Sequence, residues 1–197
     1  GLGWSLFDYQ GVKVVSHGGG ADGMISQTMF VPEEDFGMVI LTNSINYLPP
    51  AMMYYVIDSY FGKKEKDWSG FYKQVYDYGQ RLSKEDYNEK LKNKAENTKP
   101  TFNLESYAGT YGGELYGNAE IRLEEGKLVL DFLPSETLIG DLTHWHYDVF
   151  EIKLRNSPTL PTGWVQFLTD ADGNITELKV DIPNPDFHFT ELEFLKK

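Results

Sequence analysis

Short runs of alternating apolar and polar residues open the chain, and that period predicts β-strands. Gly3-Trp4-Ser5-Leu6-Phe7 alternates loosely and ends at the turn Tyr9-Gln10-Gly11. Val12 to Ser16 is a short β-branched run, and Ile25 to Val31 is a third strand that stops at Pro32-Glu33-Glu34-Asp35. Phe36 to Thr42 is almost continuously apolar, which predicts a fourth strand buried on both faces. The period then changes. Pro49-Pro50 opens a helix over Ala51 to Phe61, and Gly62 stops it, the expected placement of proline and glycine around a helix. Met52, Val56 and Tyr60, with Met53 and Ile57, give this helix one apolar face.

From Lys63 to Lys99 the chain is charged and helical. Phe71, Val75, Tyr78 and Leu82 recur at helical spacing. Ser83 with Asp86 reads as a variant capping box that restarts a second helix. Beyond Pro100-Thr101 the two-residue period returns and persists to the end. Eight strands are expected, near 106–112, 115–124, 127–133, 136–142, 145–154, 163–170, 174–181 and 186–195. Turn signals separate them, among them Glu125-Gly126, Asp172-Gly173-Asn174 and Pro183-Asn184-Pro185. The predicted class is mainly β with a helical connector: a truncated antiparallel sheet plus helix, then an eight-stranded antiparallel β-barrel (lipocalin-like) or a sandwich. The expected division is 1–62, a linker at 63–101, and a β domain at 102–197.

Composition sharpens this picture at three points. The 197 residues carry a net charge of −12, the wrong balance for a nucleic-acid partner. The charge is uneven: net −5 over residues 1–62, +3 over 63–99 and −10 over 100–197, so the breaks in charge follow the breaks in pattern. There is no cysteine, which removes disulfides and thiolate metal sites. No apolar run is long enough to span a membrane, and no signal peptide begins the chain.

Candidate chemistry gathers at Val14-Val15-Ser16-His17-Gly18-Gly19-Gly20, followed by Ala21-Asp22-Gly23-Met24. Glycine lets backbone approach a bound group closely, and a neighbouring imidazole exchanges protons near neutrality. The segment reads as the border of an active site, or else His17 is a turn histidine without function in this chain. His144, His146 and Asp148 form a second cluster. On a continuous strand their spacing places them on one face, as a partial divalent-metal site or as a hydrogen-bonded polar lining.

Gly1-Leu2-Gly3-Trp4, His17-Gly18-Gly19-Gly20, Phe30-Val31-Pro32-Glu33 and Val39-Ile40-Leu41-Thr42-Asn43 together resemble the end of a serine β-lactamase-like domain, the family of class C β-lactamases, DD-peptidases and related esterases. His17-Gly18-Gly19 matches the His-x-Gly form of that family's third motif. Tyr107-Ala108-Gly109-Thr110-Tyr111, Gly126-Lys127-Leu128 and His144-Trp145-His146-Tyr147-Asp148 resemble the domain of unknown function appended to such hydrolases.

The resemblance implies acyl transfer on an amide or ester: a serine in Ser-x-x-Lys attacks, with a Tyr or Lys as base. It casts His17, Gly18 and Gly19 as the wall that supplies an oxyanion-hole N–H and binds substrate. No serine here has lysine three residues on, and Tyr116-Gly117-Asn118 follows the third motif where the family's Tyr-x-Asn precedes it. The chain alone is therefore expected to be inactive, its partner being a missing N-terminal part of a parent hydrolase. The resemblance implies no cofactor or metal. It implies a bacterial parent, periplasmic or exported, with an acidic barrel that disfavours anionic substrates. The truncated sheet is expected to expose an edge that supports homo-oligomers. The alternative is a non-enzymatic barrel that binds a small ligand, or a structural or dimerisation module.

Overall fold

The computed structural model describes residues 1–197 except 22, 64, 65, 185 and 186. Asp22, in the stretch that follows the candidate segment at 17–20, Pro185, part of the turn read at 183–185, and the first residue of the strand read at 186–195 lie outside the described residues. The chain forms two compact units, Gly1–Lys90 and Leu91–Lys197.

In the first unit β1 (Ser5–Tyr9), β2 (Val12–Ala21), β3 (Met24–Val31) and β4 (Phe36–Thr42) form an antiparallel meander in chain order. Gln10 and Gly11 both have positive φ, 59° and 85°, as a tight two-residue hairpin between right-twisted strands requires. Phe7, Val14, Met29, Val31 and Met38 share one face and pack on Met53 and Ile57 of α1 (Leu48–Tyr60).

Two expectations change here. Strand β4 is not buried on both faces: it is an edge strand, and its outward Val39 and Leu41 are 64% and 77% exposed. Helix α1 starts at Leu48 rather than Ala51, because proline is tolerated in a first turn and Asn46 Oδ1 accepts the Leu48 N–H at 2.8 Å. Its buried face is Met53 and Ile57, while Met52 and Tyr60 are exposed.

The charged stretch is one helix, α2 (Trp68–Lys92), and Ser83 lies inside it instead of capping a second. The pair Arg81–Glu85 (3.7 Å) bridges successive turns across that serine, and Asp86–Lys90 (3.6 Å) does so just after it. The stripe of Phe71, Tyr78 and Leu82 is exposed. Trp68 and Tyr72 instead meet α1, with Trp68 stacked on Tyr54 at 4.3 Å between ring centroids.

The second unit begins its regular structure with α3 (Leu104–Tyr107). Strands β5 (Gly109–Gly113), β6 (Gly117–Glu124), β7 (Lys127–Phe132), β8 (Ile139–His146), β9 (Val149–Leu154), β10 (Gly163–Thr169), β11 (Ile175–Asp181) and β12 (Phe194–Lys196) follow. Each pairs antiparallel with its chain neighbour, and β12 pairs back to β5, so the sheet closes. This is the barrel and not the sandwich. Eight strands leave an interior just wide enough for side chains. Tyr107, Tyr111, Phe132, Phe150, Phe167 and Phe194 fill it together with aliphatic neighbours. The strand expected over 186–195 is reduced to β12, preceded by a 3-10 turn at Phe189–Glu191 that buries Phe189 and Leu192.

Candidate functional site

Strand β2 does not stop at Ser16. It continues through His17, Gly18, Gly19 and Gly20 to Ala21, in register with β3: His17 faces Thr28, Gly18 faces Gln27 and Gly19 faces Ser26. His17 is therefore a strand residue, which overturns the turn reading. Its side chain is exposed, and it meets the Trp4 ring in a T-shaped contact with 5.9 Å between ring centroids.

None of Gly18, Gly19 and Gly20 has positive φ, so space and not backbone conformation is what glycine supplies there. A Cβ at Gly18 would stand 3.1 Å from Gln27 Oε1, and one at Gly19 would stand 3.3 Å from Ser26 Oγ. Those two side chains lie against the bare strand. Gln27 Nε2 donates to the His17 carbonyl at 3.2 Å, and Ser26 Oγ donates to the Gly19 carbonyl at 3.3 Å.

The pairing of β1 with β2 ends at Ser5 opposite Ser16, so β2 from His17 onward is paired through β3 alone. The result is a strand edge without side-chain bulk over three residues, beside an accessible imidazole. Such an edge can hydrogen-bond an extended chain. Tyr116-Gly117-Asn118 lies elsewhere, at the β5–β6 hairpin of the barrel, where Asn118 Oδ1 accepts from Lys197 Nζ at 2.7 Å.

The second cluster is not one face of a strand. Strand β8 ends at His146 with a register irregularity between His144 and His146, and Asp148 sits in the turn to β9 beside Tyr147, whose φ is +45°. Each of the three polar groups has a protein partner. His144 Nε2 is 3.0 Å from the Tyr147 carbonyl, His146 Nδ1 accepts the Ala95 N–H at 3.1 Å, and Asp148 accepts the Thr101 N–H at 2.8 Å, the Thr101 hydroxyl at 2.7 Å and the Tyr107 phenol. Burial alone would raise the Asp148 carboxyl, but the hydrogen bonds from Tyr107 and Thr101 outweigh it and hold the pKa below the ordinary value. Burial and the same carboxylate push the Tyr107 phenol upward. Among the described residues no group of three or more His, Asp or Glu is gathered to hold a metal. The polar-cluster reading describes these residues, though as a corner grip and not a barrel lining.

A third polar centre escaped the sequence reading. Asp58 is 5% exposed and accepts from Tyr9 Oη at 2.6 Å, Gln10 Nε2 at 3.2 Å and Trp68 Nε1 at 2.5 Å. Burial, reinforced by the Asp58 carboxylate, pushes the Tyr9 phenol up to about 12. One signal for it was present: Asp58 is the sole charged residue of α1.

Comparison with known proteins adds the following. The model of a domain of unknown function, DUF3471, matches residues 93–196. The chain is 29% identical over 142 residues to unguisins hydrolase ungD of Aspergillus violaceofuscus (strain CBS 115571), a match covering 64% of this chain and 24% of that protein. It is 27% identical over 148 residues to unguisins hydrolase ungD' of Aspergillus campestris (strain IBT 28561), covering 66% and 26%. The chain thus spans about a quarter of the length of these curated relatives. Among solved structures, the octameric penicillin-binding protein homologue from Pyrococcus abyssi overlaps 98% of this chain and 36% of its own, at 15% identity and a TM-score of 0.33. SurE overlaps 100% and 37%, at 12% identity and a TM-score of 0.38. Overlaps this loose carry nothing about activity.

Proposed function

This chain belongs to the DUF3471 family, and from that premise we propose that it is the C-terminal portion of a β-lactamase/DD-peptidase-like serine hydrolase, with the barrel as an accessory domain flanking the active site. The observation that carries the proposal is the bare, accessible edge of β2 from His17 to Gly20. Two relatives named as hydrolases support it, and each is about four times as long as the matched stretch. Both are fungal, so the bacterial setting expected from the resemblance does not extend to them.

In this reading an upstream serine Oγ attacks the substrate carbonyl carbon, and a neighbouring base takes the serine proton. The amide or ester bond breaks, the leaving group gains a proton, and water releases the acyl group. The chain described here contributes one wall. Backbone N–H groups of β2 near Gly19 stabilise the developing oxyanion, an effect that ordinarily amounts to about 10²–10³ in rate for each donor. His17 lines the same edge and orients the substrate. The alternative, a ligand held inside the barrel, meets an interior already filled by side chains.

The test compares this chain alone with the same chain preceded by its upstream sequence, using p-nitrophenyl acetate and nitrocefin. Turnover abolished by replacing an upstream Ser-x-x-Lys serine is expected from the longer protein only. Serine-dependent turnover by residues 1–197 alone, or an upstream sequence without Ser-x-x-Lys, defeats the proposal.

A further inference from the structure

Four of the residues His144–Asp148 grip the segment that leads into the barrel, and the fifth braces their turn. Lys94 Nζ stands 4.4 Å from the centre of the Trp145 ring. The Ala95 N–H donates to His146 Nδ1 at 3.1 Å. The Tyr147 N–H donates to Thr98 Oγ1 at 3.2 Å, and Asp148 takes both the N–H and the hydroxyl of Thr101. His144 Nε2 steadies the turn from within, 3.0 Å from the Tyr147 carbonyl.

The two histidines respond to a proton in opposite ways. His144 faces a carbonyl, so its Nε2–H can donate whether the ring is neutral or charged. His146 faces an N–H. Its Nδ1 accepts only as a neutral ring carrying the proton on Nε2, because an imidazolium has a donor at both nitrogens and no lone pair. Protonation would turn the Ala95 contact from donor–acceptor to donor–donor. Imidazole ordinarily exchanges this proton near pH 6.5, where carboxylates, phenols and amines do not titrate.

The charged and titratable surroundings include Lys94 from the incoming segment, His144 from β8, and Tyr147 and Asp148 from the β8–β9 turn; β10 adds the neutral Trp164, 6.0 Å from Trp145 and paired in the sheet with Glu151 of β9 and Asp181 of β11. The Lys94 cation opposes a second positive charge in the corner. The Asp148 anion favours one, but its oxygens are taken up by Thr101 and Tyr107.

We infer that His146 is a proton-operated latch: neutral, it clips Ala95 to the barrel wall, and protonated, it releases Ala95 while Tyr147 keeps Thr98 and Asp148 keeps Thr101 in place. Hydrogen exchange of individual amides in the whole chain, followed by NMR and corrected for intrinsic rates, tests this between pH 8 and pH 5. Protection of the Ala95 amide should fall about tenfold on acidification, the equilibrium equivalent of one hydrogen bond, while the core amide of Leu130 stays unchanged. His146→Ala should lose that protection at both pH values, and His144→Ala should leave the pH response of Ala95 in place. His146→Asn, which offers a non-titrating acceptor near the Nδ1 position, should flatten the profile. Equal protection of Ala95 at both pH values in the natural chain overturns the latch, as does a response that follows His144. Independently of any variant, long-range ¹H–¹⁵N spectra at pH 8 should show His146 with its proton on Nε2. A proton on Nδ1 also overturns it.

Discussion

Tyr9 and Asp58 meet at 2.6 Å, phenol to carboxylate, and tie the β1–β2 hairpin to α1. Gln10 and Trp68 donate to the same carboxylate. A carboxylate removed from water is tolerated only when such donors replace its hydration. Asp58→Ala would leave three donors facing an empty position. It should destabilise the first unit by about 2–4 kcal/mol, read from urea unfolding followed by tryptophan fluorescence. Tyr9→Phe leaves Gln10 and Trp68 in place and should cost less. Equal stability of Asp58→Ala and the natural chain would show that the cluster contributes nothing.

Asp148 contributes to the response to acid, beside Glu124, Asp141 and Asp170, whose carboxyls are also held below their ordinary values. Its carboxyl pKa is held below the ordinary value in the folded chain, so the folded state binds this proton less readily than the unfolded state. The associated stability is present above the ordinary carboxylate pKa of about 4 and is lost as pH falls through the lower folded value. Thermal unfolding of the natural chain should therefore fall more steeply below pH 4 than that of Asp148→Asn. Parallel profiles in the two proteins would contradict this.

Gly163 opens β10 against the end of β11. A Cβ there would collide with the Asp181 carbonyl oxygen and lie 2.8 Å from Ile182 Cα, and backbone cannot swing aside as a side chain can. Gly163→Ala should cost about 1–3 kcal/mol of barrel stability. Gly79, with nothing within 4 Å in the middle of α2, provides the contrast: alanine there should stabilise the helix by about 0.5–1 kcal/mol. Calorimetry of both variants checks the opposite signs.

The outward face of the small sheet carries Leu6, Val39 and Leu41, all mostly exposed. Apolar residues on an edge strand favour pairing with another chain. Light scattering should show a mass above the monomer that falls when Val39 and Leu41 are both changed to lysine. A monomer at every concentration for the natural chain would remove this expectation.

Much of the barrel was legible along the chain. Inward residues such as Ile121, Leu128, Leu130, Ile152 and Val165 sit at two-residue spacing, and the left-handed turn residues Glu125, Gly126 and Gly173 mark where strands end. The β8–β9 corner was misread because Thr143-His144-Trp145-His146-Tyr147 carries no glycine or proline: the turn falls on Tyr147, a residue that rarely adopts positive φ. Strand β4 was misread because a continuous apolar run looks the same whether both faces are covered or one is open.

Local sequence determined that strands open the chain and return after the helices, where α1 ends, and that no Ser-x-x-Lys is present, since those follow from period, backbone preference and identity. Tertiary structure alone decided that β12 returns to β5 to close the barrel, and that Asp58 finds Tyr9 and Trp68. It also decided that the histidines at 144 and 146 hold the turn and the incoming chain. Period and propensity act over a few residues. These contacts join residues tens of positions apart, and only a packed fold sets what each polar group will face once water has been removed.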